Sequence, residues 1–71
     1  MESFKKWSKQ FENENSPEGD LAKDITADID FPVRAYNRVT IIRYLNNKGA
    51  CDAALDVAES MLLRYKEDHT L

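Results

Sequence analysis

The stretch SPEGDLAKDITADIDFP, residues 16–32, opens with a helix start and closes with a helix stop. Ser16 can cap free N–H groups, and Pro17 suits the first helical position. Glu18 and Asp20 fall in the first turn, where the helix dipole favours negative charge. Leu21, Ala22, Ile25 and Ile29 then recur at helical spacing and form the expected buried stripe. Pro32 ends the helix, because the residue before a proline avoids helical angles. Phe31 is placed to plug the core where the chain turns. Asp20, Asp24 and Asp28 do nothing for this stripe. They recur every fourth residue, with Asp30 just beyond and only Lys23 among them. Like charges at that spacing repel by a few tenths of a kcal/mol per pair.

On the N-terminal side, Ser3 can cap a first helix whose Phe4, Trp7 and Phe11 share one face, and ENEN at residues 12–15 leads into the Ser16 cap as a loop. On the C-terminal side, a third helix is predicted from about Ala35 to Asn47, with Gly49 stopping it. Ala35, Val39, Ile41, Ile42 and Leu45 span its apolar arc, and Tyr36, Thr40 and Tyr44 form a separate row. A last helix from Cys51 or Asp52 to about Glu67 buries Ala54, Val57, Ala58, Met61, Leu62 and Tyr65, while Leu63 points almost opposite. Tyr44 is expected in the core with its hydroxyl at the surface, Cys51 half-buried, and His69 solvated in a frayed tail over residues 67–71. The sum is an all-α protein, a compact bundle of four short helices in a single domain over residues 1–71.

Composition agrees. A chain of 71 residues makes one domain, and its single Cys and single His allow neither a disulfide nor a Cys/His zinc cage. Two Gly and two Pro leave little for the turns of an all-β protein. No apolar run approaches the roughly 20 residues that cross a bilayer. A lone Cys and a charged, helix-like N-terminus suggest a reducing, cytoplasmic location. The net charge of −3 is unlike a general nucleic-acid binder, but it is distributed in blocks. Residues 1–11 carry +2, residues 12–30 carry −6, residues 31–48 carry +4 and residues 49–71 carry −3.

SFKKW near the start, then SPEGDLAKDITADIDFP, then IIRYLNNKGA resemble the small bacterial YozE-type proteins. The sharpest part is carried by Gly19, Asp20, Leu21, Ala22, Asp24, Ile25, Asp28, Phe31 and Pro32, and the likeness runs from Ser3 to about Tyr65. The resemblance implies a fold like the sterile alpha motif (SAM) domain, and it brings no established activity and no catalytic or ligand residues. PVRAYNRVT, residues 32–40, is basic where relatives tend to be acidic or polar.

Carboxylates one helical turn apart, about 6 Å per step, cannot converge on one ion, and the spacing of a calcium loop is absent. Acid–base catalysis needs a pocket and a carboxyl with a raised pKa, neither of which this pattern supplies. No enzyme activity, metal or cofactor is therefore expected. Two readings of the Asp row stay open. It is an acidic face balanced by Arg34 or Arg38 of the basic neighbour, or a docking face for another protein. Asp20, Asp24, Asp28, Asp30, Tyr36, Arg43 and Leu63 are the candidate protein-binding residues. The alternative is nucleic-acid binding through Arg34, Arg38, Arg43 and Lys48, with Tyr36 and Tyr44 for stacking. Arg43 and Lys48 each step off by about 140°, so these cations make no continuous stripe. SAM-type domains that bind RNA hairpins lend it a fold analogy only. Weak self-association is a further expectation, with the acidic second helix meeting Arg64 and Lys66 of another copy head to tail. No membrane contact is expected.

Overall fold

Ser3 acts as the sequence requires, its Oγ accepting the Lys6 amide at 3.3 Å. The computed structural model describes residues 2–69, and in it α1 (Phe4–Ser8) tightens into a 3₁₀ turn over Lys9–Phe11. Three further helices follow, α2 (Pro17–Ala27), α3 (Arg38–Asn47) and α4 (Asp52–Asp68), with no strand among the described residues. The fold is the all-α bundle that the apolar spacing predicts. Ser16 caps α2 through the Gly19 amide at 3.1 Å, with Pro17 at the first helical position. Gly49, at φ 85°, closes α3 as a left-handed stop, and the Ala50 amide reaches back to the Leu45 carbonyl at 3.1 Å.

The 17-residue α4 is the spine, and α1, α2 and α3 all pack on it. Ala58 and Met61 on its inner face are fully buried beside Phe4, Ile25 and Ile41. At one end four aromatic rings meet. Phe4 lies 5.8 Å from Trp7 and edge-on to Tyr65 at 5.4 Å, and Trp7 contacts Phe11 at 4.9 Å. Two polar bonds tie this cluster across the chain: the Trp7 indole N–H donates to Asp68 Oδ2 at 2.8 Å, and the Tyr65 hydroxyl donates to the Glu2 carbonyl.

Several expectations are corrected at helix ends. The second helix stops at Ala27, and Asp28 is its extended C-cap (ψ 103°). Ile29, predicted in the buried stripe, is therefore turned outward and is 89% exposed. The connection to α3 is two successive turns, closed by the Phe31 amide on the Asp28 carbonyl and the Ala35 amide on the Pro32 carbonyl. Asn37 caps α3 by accepting the Thr40 amide at 2.9 Å, three residues later than predicted. Ala35 is buried all the same, held in the turn where its carbonyl accepts the Phe4 amide at 3.0 Å. Val39, however, falls in the first turn of α3 and is exposed, and Tyr36 lies outside the helix, so the Tyr36–Thr40–Tyr44 row does not form.

At the C-terminus, Glu67 and Asp68 are helical rather than frayed. His69 is half-buried, not solvated. Its Nδ1 donates to the Tyr65 carbonyl at 2.7 Å, and its Nε2 lies 3.4 Å from the Glu2 carboxylate. Thr70 and Leu71, the rest of the predicted tail, lie outside the described residues. Cys51 is exposed, the N-cap of α4 without a side-chain capping bond.

Candidate docking surface

The four aspartates have separate fates, because α2 ends before the row does. Asp28 is structural. Its Oδ2 accepts the Tyr44 hydroxyl at 2.6 Å, its Oδ1 accepts the Asp30 amide at 3.0 Å, and its carbonyl accepts Lys5 Nζ at 2.7 Å. Tyr44 in turn packs edge-on to Phe31 at 5.1 Å and lies under Lys48, whose Nζ is 3.9 Å from Asp30. The balancing cations are thus Lys5 and Lys48, not the Arg34 or Arg38 expected from sequence. The Tyr44 hydroxyl holds the Asp28 carboxyl below its ordinary value against partial desolvation, and the Asp30 amide, Lys48 and Lys5 assist. Burial, then the bond to Asp28, pushes Tyr44 up to about 12.

These opposite shifts set a pH window. A depressed carboxyl adds stability above its unfolded value, near pH 4, that is lost as pH falls through the folded value. A raised phenol adds stability below about pH 10 that is lost as pH rises through the folded value. Tyr44→Phe is expected to lower the melting temperature at about pH 5 to 9 and to flatten its fall at both ends. Thermal melts of both proteins from about pH 3 to about pH 12 check this; curves that stay parallel across that whole span count against the bond.

Arg38, offered both as a partner of the Asp row and as a nucleic-acid contact, crosses instead to α4. Its Nε and Nη2 donate to Glu59 Oε1 and Oε2 at 2.6 and 2.5 Å, a two-point clasp. That bond raises the Arg38 pKa and lowers that of Glu59. Beside the clasp lies a groove of about 450 Å³ between the turn at Tyr36 and the outer face of α4. Leu62 and Tyr65 reach it from the core, Tyr36 and Leu63 line it, and Arg38, Glu59 and Lys66 supply its charged groups. Tyr36 is 59% exposed and Leu63 64%. The fold therefore brings together two candidates 27 positions apart in sequence.

The remaining candidates lie elsewhere. Asp20 and Asp24 are exposed on α2 and border a shallow cleft of about 210 Å³ against Ala53, Ala54 and Val57 of α4. Arg34 and Arg43 are exposed, Arg34 before α3 and Arg43 on it, so no joint Tyr36–Arg43 helical face exists. Among the described residues no group of three or more His, Cys, Asp or Glu is arranged to hold a metal, and no helix is long and apolar enough to cross a membrane. Glu59, Leu62 and Tyr65 are not singled out as site residues by the sequence, and Lys66 is named there only as a contact for the acidic helix of another copy. The one available signal was Leu63 standing off the apolar face of its own helix.

A family model described as a YozE SAM-like fold matches residues 3–67. The chain belongs to that family. The match takes in all four helices up to Glu67, so the bundle and the turns that shape the groove lie within the family's own fold. No curated protein and no solved structure gave a significant match to this YozE SAM-like chain.

Proposed function

We propose that this chain is a non-enzymatic protein–protein interaction domain of the cytoplasm that docks its partner in the groove between Tyr36 and α4. The observation that carries the reading is the pairing of exposed Tyr36 and Leu63 over Leu62 and Tyr65. Interfaces favour aromatic anchors at the centre with a charged rim, and the groove has that order of chemistry. Single exposed apolar residues are ordinary; two that share one concavity are less so. Asp20 and Asp24 form a second, acidic edge that a basic partner could engage. Nucleic-acid binding ranks below this reading because two of its four cations are engaged, Arg38 by Glu59 and Lys48 by Asp30 and the Tyr44 ring.

The test is capture from host lysate, with and without nuclease, by the wild-type chain and by Leu63→Glu. We expect at least a tenfold loss of the captured protein with Leu63→Glu, equal in both lysate arms, at an unchanged melting temperature, since an exposed substitution shifts stability by only about 0.5 kcal/mol. Capture that Leu63→Glu leaves intact, or that nuclease abolishes, overturns the reading.

A further inference from the structure

We propose that α3 is a lid, which opens and recloses as one unit between hinges at Tyr36 and at the Ala50–Cys51 junction while α1, α2 and α4 stay packed together.

Of the described helices, α3 packs against α4 alone, whereas α2 packs against both α1 and α4. It buries two side chains, Ile41 and Leu45, against four each for α2 and α4. A segment with few buried apolar side chains opens at lower cost than the rest of its fold. Between α2 and α3 lies a gap of about 230 Å³, lined by Leu21 and Ile25 from one helix and by Tyr44 and Leu45 from the other. Side chains that border such a space lack packing partners on that side. Polar latches at its two ends hold α3 instead. Arg38 clasps Glu59 at the first residue of the helix, where the two side chains are 63% and 37% exposed. Near the last turn the Tyr44 hydroxyl donates to Asp28 at 2.6 Å, and Lys48 lies 3.9 Å from Asp30. Water replaces exposed pairs of this kind at little net cost.

The backbone bonds place the hinges. Ala35 stays with the core, because its carbonyl accepts the Phe4 amide at 3.0 Å. Asn37 travels with α3, since its side chain caps the Thr40 amide at 2.9 Å. Exposed Tyr36 lies between them and takes up the rotation. At the far end the Ala50 amide is bonded to the Leu45 carbonyl and moves with α3, while the Cys51 carbonyl accepts the Leu55 amide and stays with α4. Opening draws Arg38 off Glu59 and carries Asn37 and Arg38 away from Leu62, Leu63 and Tyr65, so the groove exists only with the lid closed. A partner seated there holds α3 down, which makes the lid a control on docking. That consequence rests on the docking reading; the lid itself does not.

Native-state hydrogen exchange of the free chain, read by NMR in urea below the unfolding transition, tests the lid. Amides of residues 41–50 are expected to exchange together, roughly tenfold or more faster than the slowest amides of α2 and α4 after correction for intrinsic rates. Their urea dependence should be clearly shallower, because opening a lid exposes less surface than unfolding the chain. Trp7→Phe alters the ring cluster with Phe4, Phe11 and Tyr65, which the open lid leaves intact. It should speed the slow amides of α2 and α4 and leave those of α3 unchanged. Tyr44→Phe should speed both sets, since its bond is lost in either opening. Amides of α3 that share the rates and urea slope of α2 and α4 overturn the lid, as does a Trp7→Phe chain in which α3 speeds up with the rest. Exchange is measured without a partner, so the lid and capture through Leu63 fail separately.

Discussion

Phe4→Ala leaves the domain largely unfolded at 25 °C. Phe4 is completely buried and touches both Trp7 and Tyr65, so its loss opens a hole between α1 and α4 that neither helix can close alone. Phe-to-Ala changes in cores cost about 3–5 kcal/mol. A chain of this length has about 4–11 kcal/mol of stability in total, and a small domain sits toward the lower end. The loss is comparable to the whole. Urea unfolding read by far-UV circular dichroism checks it, with Trp7 fluorescence as a local report. At a slope of about 1 kcal/mol per molar, the midpoint should fall by about 3 M or more, or the native baseline should vanish. A shift under about 1 M would mean that the remaining rings close over the gap, contrary to the close packing of folded cores.

Gly19→Ala is expected to destabilise, although alanine is favoured over glycine inside helices by up to about 1 kcal/mol. Gly19 is buried in the first turn of α2, where the loop from the 3₁₀ turn crosses it. A Cβ there would stand 2.0 Å from the Glu14 carbonyl oxygen, a backbone atom with no rotamer to escape into. Forced overpacking of this kind costs about 1–3 kcal/mol, enough to override the propensity gain. Net of the propensity gain, a loss of about 1–2 kcal/mol at roughly 4–8 °C per kcal/mol for a domain of this size should lower the melting temperature by roughly 5 to 15 °C. Gly49→Ala is the instructive partner, since it meets no atom within 4 Å and is strained only by its φ of 85°. Its cost should be about 1–2 kcal/mol, from conformation alone. A rise in melting temperature for Gly19→Ala would show that the Glu14 loop is free to move aside.

Helices were legible wherever local chemistry specifies them. Ser3 and Ser16 cap as read, Gly49 stops α3, and the apolar arcs of α2 and α4 face the core where their spacing puts them, apart from Ile29, with Ala54 and Val57 only half-buried. The misreadings sit at boundaries that distant contacts decide. Asp28 ends α2 as its C-cap with its carboxylate bonded to the Tyr44 hydroxyl, 16 residues later, and no periodicity announces that bond. Helix α3 starts late because Asn37, not Ala35, can accept a free amide, and Ala35 serves Phe4 instead. The candidate site shares this character. Tyr36 and Leu63 could each be picked out as misfits on their own segments, but only the packing of the α2–α3 connection on α4 makes them neighbours. Gly19 was visible as part of the resemblance, yet its reason, a carbonyl crossing overhead, belongs to the fold.

The bonds from Trp7 to Asp68 and from Tyr65 to Glu2 join residues 61 and 63 positions apart. A chain leaves the ribosome N-terminus first. Phe4 and Trp7 therefore emerge early and must wait, exposed, for Tyr65 and Asp68 to clear the exit tunnel. The contacts of Phe4 and Trp7 with Tyr65 thus arrive in one late step, when α4 docks. For a small helical protein that is a non-local closure, and it makes the last turn of α4 the point at which a growing polypeptide becomes a folded one.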